Sequence, residues 1–195
     1  MTVSLDSLLA DIRRCAVCTA HLPHPPRPVV QAAPEARLVI IGQAPGSRVH
    51  ESGVPWHDQS GDRLRAWLGL DCATFYDPSI VALIPIGFCY PGAANGADRP
   101  PRPECAPLWH ARLLPLLPAV QLTLLVGIHA QNHYLPNQGK PTMTERVRAF
   151  AAYGPNHFPL PHPSWRSTGW MRRNPWFDSH VLPALRRTVQ SALTL

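Results

Sequence analysis

Apolar positions recur along this chain in two rhythms. At the start, Leu5, Leu8, Leu9 and Ile12 fall on one face of a 3.6-residue period, with Ser4 placed to cap them, so a helix is expected over 4–15. Residues 21–34 hold five prolines and must be irregular. Residues 37–42, Arg-Leu-Val-Ile-Ile-Gly, form an unbroken β-rich apolar run that ends in glycine, which reads as a strand buried on both faces. Similar runs over 80–86, 122–127 and 157–160 predict three more strands. Helical periodicity is expected over 60–70, 104–117 (with a kink at Pro107 or Pro115), 128–135, 142–152 and 175–193. Thr142 and Glu145 have capping-box spacing. Strands that alternate with helices imply an α/β fold: three layers, α/β/α, around a mostly parallel four-stranded sheet. We see no repeat or linker, so residues 1–195 are expected to form one domain.

In such sheets, ligands bind outside the carboxyl ends of the strands. The segments after Ile41, Ile86 and Leu160 each carry an unusual motif. The first is Gly42-Gln-Ala-Pro-Gly46, followed by a stretch holding His50, Glu51, His57, Asp58 and Asp62. Its small residues let backbone N–H groups approach a ligand, and its acids and imidazoles can move protons. The last strand runs into His162-Pro-Ser164, where two prolines hold the histidine rigid. Beyond it, Ser164, Arg166, Arg172 and Arg173 are candidates to bind phosphates, and Trp165, Trp170 and Met171 to wedge into a base stack. The bland alternatives are a solvated loop and tryptophans that cover the core.

Composition narrows the partners. Charged residues are 15% and hydrophobic ones 45% of 195 residues, which argues against charge-driven disorder. No apolar run reaches the roughly 18 residues that span a bilayer. Asp6, Asp11, Arg13 and Arg14 break up any signal peptide. A cytoplasmic protein with no membrane partner is the expectation, associated with the nucleoid when bound to DNA. The net charge is +6, and Lys140 is the one lysine, so the basic surface is arginine. That suits a phosphate-rich partner, or reflects base composition alone.

Of five cysteines, Cys15 and Cys18 form a C-x2-C pair, and Cys89 and Cys105 flank fifteen residues rich in Pro, Gly and Asn; Cys72 stands apart. In a cytosolic enzyme this pattern points to metal before disulfide. Four thiolates can hold an iron–sulfur cubane or a zinc ion, and either would staple the N-terminal segment to the long loop. Five unrelated cysteines are the alternative.

Together these motifs resemble the uracil-DNA glycosylase superfamily, most closely its iron–sulfur branch (family four). That branch has Gly-Glu-(Ala or Gly)-Pro-Gly, then Gly-x-Pro-Phe, a small-residue–Gly helix start, His-Pro-Ser and four cluster cysteines. Their counterparts here are Gly42–Gly46, Gly53-Val-Pro-Trp56, Ser60-Gly61, His162–Ser164, and Cys15, Cys18, Cys89 and Cys105. The match runs from about residue 8 to 190. The resemblance implies a monomeric base-excision repair enzyme that extrudes uracil, or a related deaminated base, from DNA and hydrolyses its glycosidic bond. It also implies a 4Fe-4S cluster on the four cysteines. It gives His162 a hydrogen bond to uracil O2, and places Gly42, Gln43 and Ala44 along the base pocket. Trp56 takes the position of a Phe that stacks on the base, and Pro45, Ser164 and Arg166 are expected on the phosphates.

Two departures stand out. The family's water-orienting acid is Gln43 here, and its uracil-reading Asn falls on Pro85, counted four back from Cys89. Glutamine can hold a water but carries no charge, and proline offers no side-chain hydrogen bond. His50, His57 or Asp58 is the expected replacement for placing water. The competing expectations are a glycosylase-like protein that binds damaged or abasic DNA with little turnover, and a zinc or cluster redox protein unrelated to DNA.

Overall fold

The structure is a computed structural model that describes residues 4–137 and 139–194. Four parallel strands form the central sheet: β1 (Leu38–Gly42), β2 (Val81–Pro85), β5 (Leu122–Val126) and β6 (His157–Leu160), in spatial order β2-β1-β5-β6. A two-stranded hairpin, β3 (Ala93–Ala94) and β4 (Ala97–Asp98), stands outside the sheet. The sheet strands are apolar throughout because both faces are covered. Val39, Ile41, Ala82 and Ile84 pack on one side with α1 (Leu5–Arg13) and α5 (Cys105–Leu113). Leu38, Ile40, Leu83 and Leu124 pack on the other with α3 (Gln59–Leu68) and α9 (Leu182–Thr194). This is the expected three-layer α/β/α arrangement.

Local chemistry sets the element ends. The Ser4 hydroxyl accepts the Ser7 N–H at the start of α1, and Leu5, Leu8, Leu9 and Ile12 form its buried stripe. The Thr142/Glu145 capping box opens α7 (Met143–Arg148). That helix is shorter than expected and passes into a 3-10 turn over Phe150–Tyr153. Pro107 lies in the first turn of α5, where a missing N–H costs nothing, and Pro115 opens a separate 3-10 turn, so neither kinks a continuous helix. The expected 175–193 helix is a π-helical turn (Phe177–Val181) followed by α9. Three short helices lie in stretches expected to be loop: α2 (Ser47–Ser52), α4 (Cys72–Tyr76) and α8 (Ser167–Arg173).

The sheet order places a topological switch between β1 and β5, since the chain leaves β1 toward β2 on one side and returns to β5 on the other. The loops beyond that switch are where a ligand is expected. After β5, Gly127 has φ of 89° and leads into α6 (Ile128–Tyr134). A Cβ on Gly127 would sit 3.5 Å from the Cβ of His162, so this glycine lets the loop after β6 cross close to the end of β5.

Candidate active site

At the carboxyl ends of the strands lies one cavity of about 450 Å³. Its walls come from distant parts of the chain: the Gly42–Gly46 turn after β1, Trp56 and Asp58, Pro85 at the end of β2, and His162, Ser164 and Arg166 after β6. Gly42, Gln43, Ala44 and Pro45 all face it. The turn is fastened to the next strand, because the Gly42 carbonyl accepts the Ile86 N–H (2.9 Å) and the Gln43 carbonyl accepts the Gly87 N–H (3.0 Å).

Trp56 is the most constrained wall. Its φ of 57° is left-handed. Its indole lies across Gly42, where a Cβ would come within 2.7 Å of the ring. On the other side α3 presses close: a Cβ on Gly61 would fall 1.8 Å from the Trp56 carbonyl oxygen. That carbonyl accepts the Tyr76 hydroxyl (3.1 Å), and Arg65 donates to the same Tyr76 oxygen (2.9 Å). The Trp56 and His162 rings stand 5.7 Å apart at 30°.

His162 reaches the cavity from a loop tied down by Ser167, whose hydroxyl donates to the His162 carbonyl. Burial lowers the pKa of its imidazole below the ordinary value, and the Asp58 charge pulls in the opposite direction. Asp58 caps α3 by accepting the Gly61 N–H (2.9 Å), and its other oxygen approaches Gly46. Of the three residues expected to place water, Asp58 alone among the described residues lines the cavity. His57 is exposed beside it. His50 lies on α2 and turns to His24 and Tyr90, with ring centroids at 5.3 and 5.9 Å, so these two histidines stand outside the cavity wall.

The segment after Ser164 divides. Trp165 is 72% exposed at the cavity rim, with the Arg166 guanidinium 5.4 Å from its ring. Arg63 holds the Ser164 carbonyl (2.7 Å). The expected wedges Trp170 and Met171 face inward instead. Both pack on the core, and the Trp170 indole N–H donates to Thr144 (2.8 Å). Arg172 and Arg173 are exposed at the end of α8.

Two features of the site carry no sequence motif. The β3–β4 hairpin brings Ala93, Gly96, Ala97 and Asp98 to the cavity, and Arg166 donates to the Gly96 carbonyl across it. Beneath Pro85, His110 is 2% exposed and bonds the Pro85 carbonyl through Nε2 (3.0 Å). A carbonyl only accepts, so Nε2 carries the proton, and Nδ1 accepts the Tyr134 hydroxyl. Burial drives the His110 pKa down to about 4. Below pH ~6.5 the unfolded chain therefore binds a proton that the folded ring refuses. This term costs about 2–3 kcal/mol of stability as pH falls from ~6.5 toward ~4.5. Urea unfolding at the two ends of that window measures it, against His110→Gln, which lacks the titration.

Cys15, Cys18, Cys89 and Cys105 line a second, small cavity together with Phe88 and Trp109. All four are free thiols. Burial pushes Cys89 up to about 11 and Cys105 up to about 12, and the Cys105 sulfur accepts the Phe88 N–H (3.3 Å). The four thiols share the lining of one small void, and a backbone N–H is aimed at one sulfur, so their chemistry suits a thiolate centre although they do not converge into a ligand set as they stand. Among the described residues, no group of three or more His, Cys, Asp or Glu is placed to hold a metal ion. No helix among them is long and apolar enough to cross a membrane.

A family model described as the uracil DNA glycosylase superfamily matches residues 29–186, which takes in both motif loops, Pro85 and the whole sheet. With the parallel α/β/α fold and the cavity between the Gly42–Gly46 turn and His162, that match identifies the chain as a member of the uracil DNA glycosylase superfamily.

Proposed function

We propose that this protein is a DNA glycosylase that hydrolyses the N-glycosidic bond of an extruded uracil or related deaminated base. The observation that carries this reading is the shared cavity: the Gly42–Gly46 turn, the Trp56 ring and the His162 imidazole face one base-sized hollow. The target atom is unreachable inside a duplex, so the nucleotide must leave the stack. Trp56 offers the aromatic surface on which the base rests. As the C1′–N bond breaks, electrons move onto the base, and the His162 N–H donates to the oxygen where charge collects. A neutral imidazole, as burial favours here, still has one N–H to give. Among the described residues only one Asp58 oxygen is hydrogen-bonded, which leaves the other to hold water, and Arg166 and Ser164 grip phosphates at the rim.

The four cysteines are proposed to hold a 4Fe-4S cluster as a structural staple, with zinc as the alternative on the same thiols. When bound, such a cluster ties residues 15–18 to the two ends of the hairpin loop. The cluster is preferred because of the resemblance to family four.

The function is tested with purified protein in excess over oligonucleotides that carry one uracil, hypoxanthine or xanthine, or a thymine mismatch. Alkali-labile nicks at the lesion are the expected result. A second reading is favoured by Gln43, which brings no acid to the cavity, and by Pro85, which brings no side-chain hydrogen bond: lesion binding without turnover. Retarded bands without nicks would establish it. Trp165→Ala is expected to weaken binding to duplex lesion DNA by about tenfold, roughly one lost stacking contact, and to affect single strands less. Titration of both substrates at fixed salt measures the ratio.

A further inference from the structure

The loop between Cys89 and Cys105 does more than join two cysteines. Its hairpin folds over the cavity and lays Asp98 along the wall, where Arg166 pins the hairpin by its bond to Gly96. A Cβ on Gly46 would sit 3.6 Å from one Asp98 oxygen and 3.9 Å from one Asp58 oxygen, so the two carboxylates converge on the end of the first motif. Asp58 spends its other oxygen on capping α3. Among the described residues, no hydrogen bond occupies the Asp98 carboxylate.

Depth in the cavity decides what Asp98 can reach. An extruded base enters first, and its sugar stays toward the mouth because the backbone remains joined to the duplex. Asp98 lines the cavity yet is exposed, beside the end of the Gly42–Gly46 turn, so its carboxylate is open to the sugar of a nucleotide whose base has entered. Gln43, in the position where the family carries its acid, can hold a water but cannot balance positive charge.

We propose that Asp98 is a catalytic carboxylate of the reaction proposed above. It stabilises the positive charge that grows on the deoxyribose as the base departs, and it takes the proton of the attacking water. The C1′–N bond breaks with its electron pair going to the base. The water oxygen bonds C1′, and its proton passes to the Asp98 carboxylate and on to solvent, while the departing base anion takes up a proton from solvent, leaving an abasic sugar and free base. Partial desolvation against the cavity wall and the nearby Asp58 charge raise the affinity of Asp98 for a proton, while Arg166 opposes them, which suits a group that accepts one.

The test is single-turnover base release at saturating protein by wild type, Asp98→Asn, and Asp98→Asn combined with Gln43→Glu, with DNA affinity and melting temperature measured for each. Asp98→Asn is expected to lower the rate about 10²-fold with unchanged affinity and melting, and Gln43→Glu to recover about tenfold or more by returning a carboxylate from the other wall. An unchanged rate, a loss fully accounted for by weaker DNA binding, or no recovery overturns the assignment. A wild-type protein that releases no base from any lesion defeats the glycosylase reading itself and the assignment with it. Turnover by wild type with an unaffected variant defeats the assignment alone.

Discussion

Replacing His162 with alanine is expected to lower single-turnover base release by about 10²–10³-fold, the loss typical of removing one donor to a developing anion. The effect should fall on the chemical step. His162 lies inside the cavity, while the residues offered to the phosphates lie at its rim, so DNA affinity should change little. The fold should hold, because the loop is tied down through the His162 carbonyl by Ser167, a bond the substitution leaves intact. The pH profile adds a signed expectation. Burial lowers the imidazole's pKa, so the ring is neutral through pH 7 and remains so below its ordinary value of about 6.5. The rate should therefore show no inflection at ~6.5 that disappears in His162→Ala; a rate limb there that the variant abolishes would mean that the imidazolium is the working form. Retention of the wild-type rate by His162→Ala would remove the histidine from the mechanism.

The sheet was legible because buried parallel strands cannot disguise themselves. Residues 38–42 and 81–85 meet apolar neighbours on both faces and so read as unbroken apolar runs. The short elements were not legible, for an equally physical reason. The helices α2, α4 and α8 span 5–7 residues, too few to display a period, and the hairpin pairs only two residues a side. The motif loops converge as their positions after strand ends required, but nearness in sequence misled about individual side chains. His50 is four residues from Gly46, yet α2 turns its ring to Tyr90. Arginine beside tryptophan reads the same whether the indole meets solvent, as Trp165 does, or the core, as Trp170 does. Asp98 was hidden because its loop has no period, and its use of the space before Gly46 exists only after folding. His110 looks like any helical histidine until its two nitrogens find Pro85 and Tyr134.

The second large effect concerns the four cysteines. Cys105→Ser, or removal of a bound centre by chelation, is expected to cost roughly 4 kcal/mol or more, which for a chain of this size is about 8–16 °C in melting temperature. The reasoning starts from what the thiols hold together. Cys15 and Cys18 follow α1, Cys89 follows β2, and Cys105 opens α5, so one centre on these thiols would join the N-terminal helix, the end of the edge strand β2 and both ends of the hairpin loop. Burial keeps Cys89 and Cys105 protonated when nothing positive sits between them. A bound centre reverses that balance by taking thiolates, so its binding energy becomes folding energy. The hairpin also lines the cavity at the strand ends, so its loss of anchorage should reach base release as well as stability. Purified protein with an iron–sulfur cluster shows broad visible absorption that bleaches on reduction, and Cys105→Ser should lose that absorption and the added stability together. A colourless protein that binds one zinc per chain would move the centre to the zinc alternative. Retained melting temperature after Cys105→Ser, with neither iron nor zinc bound by the wild type, would leave the four thiols as ordinary packing.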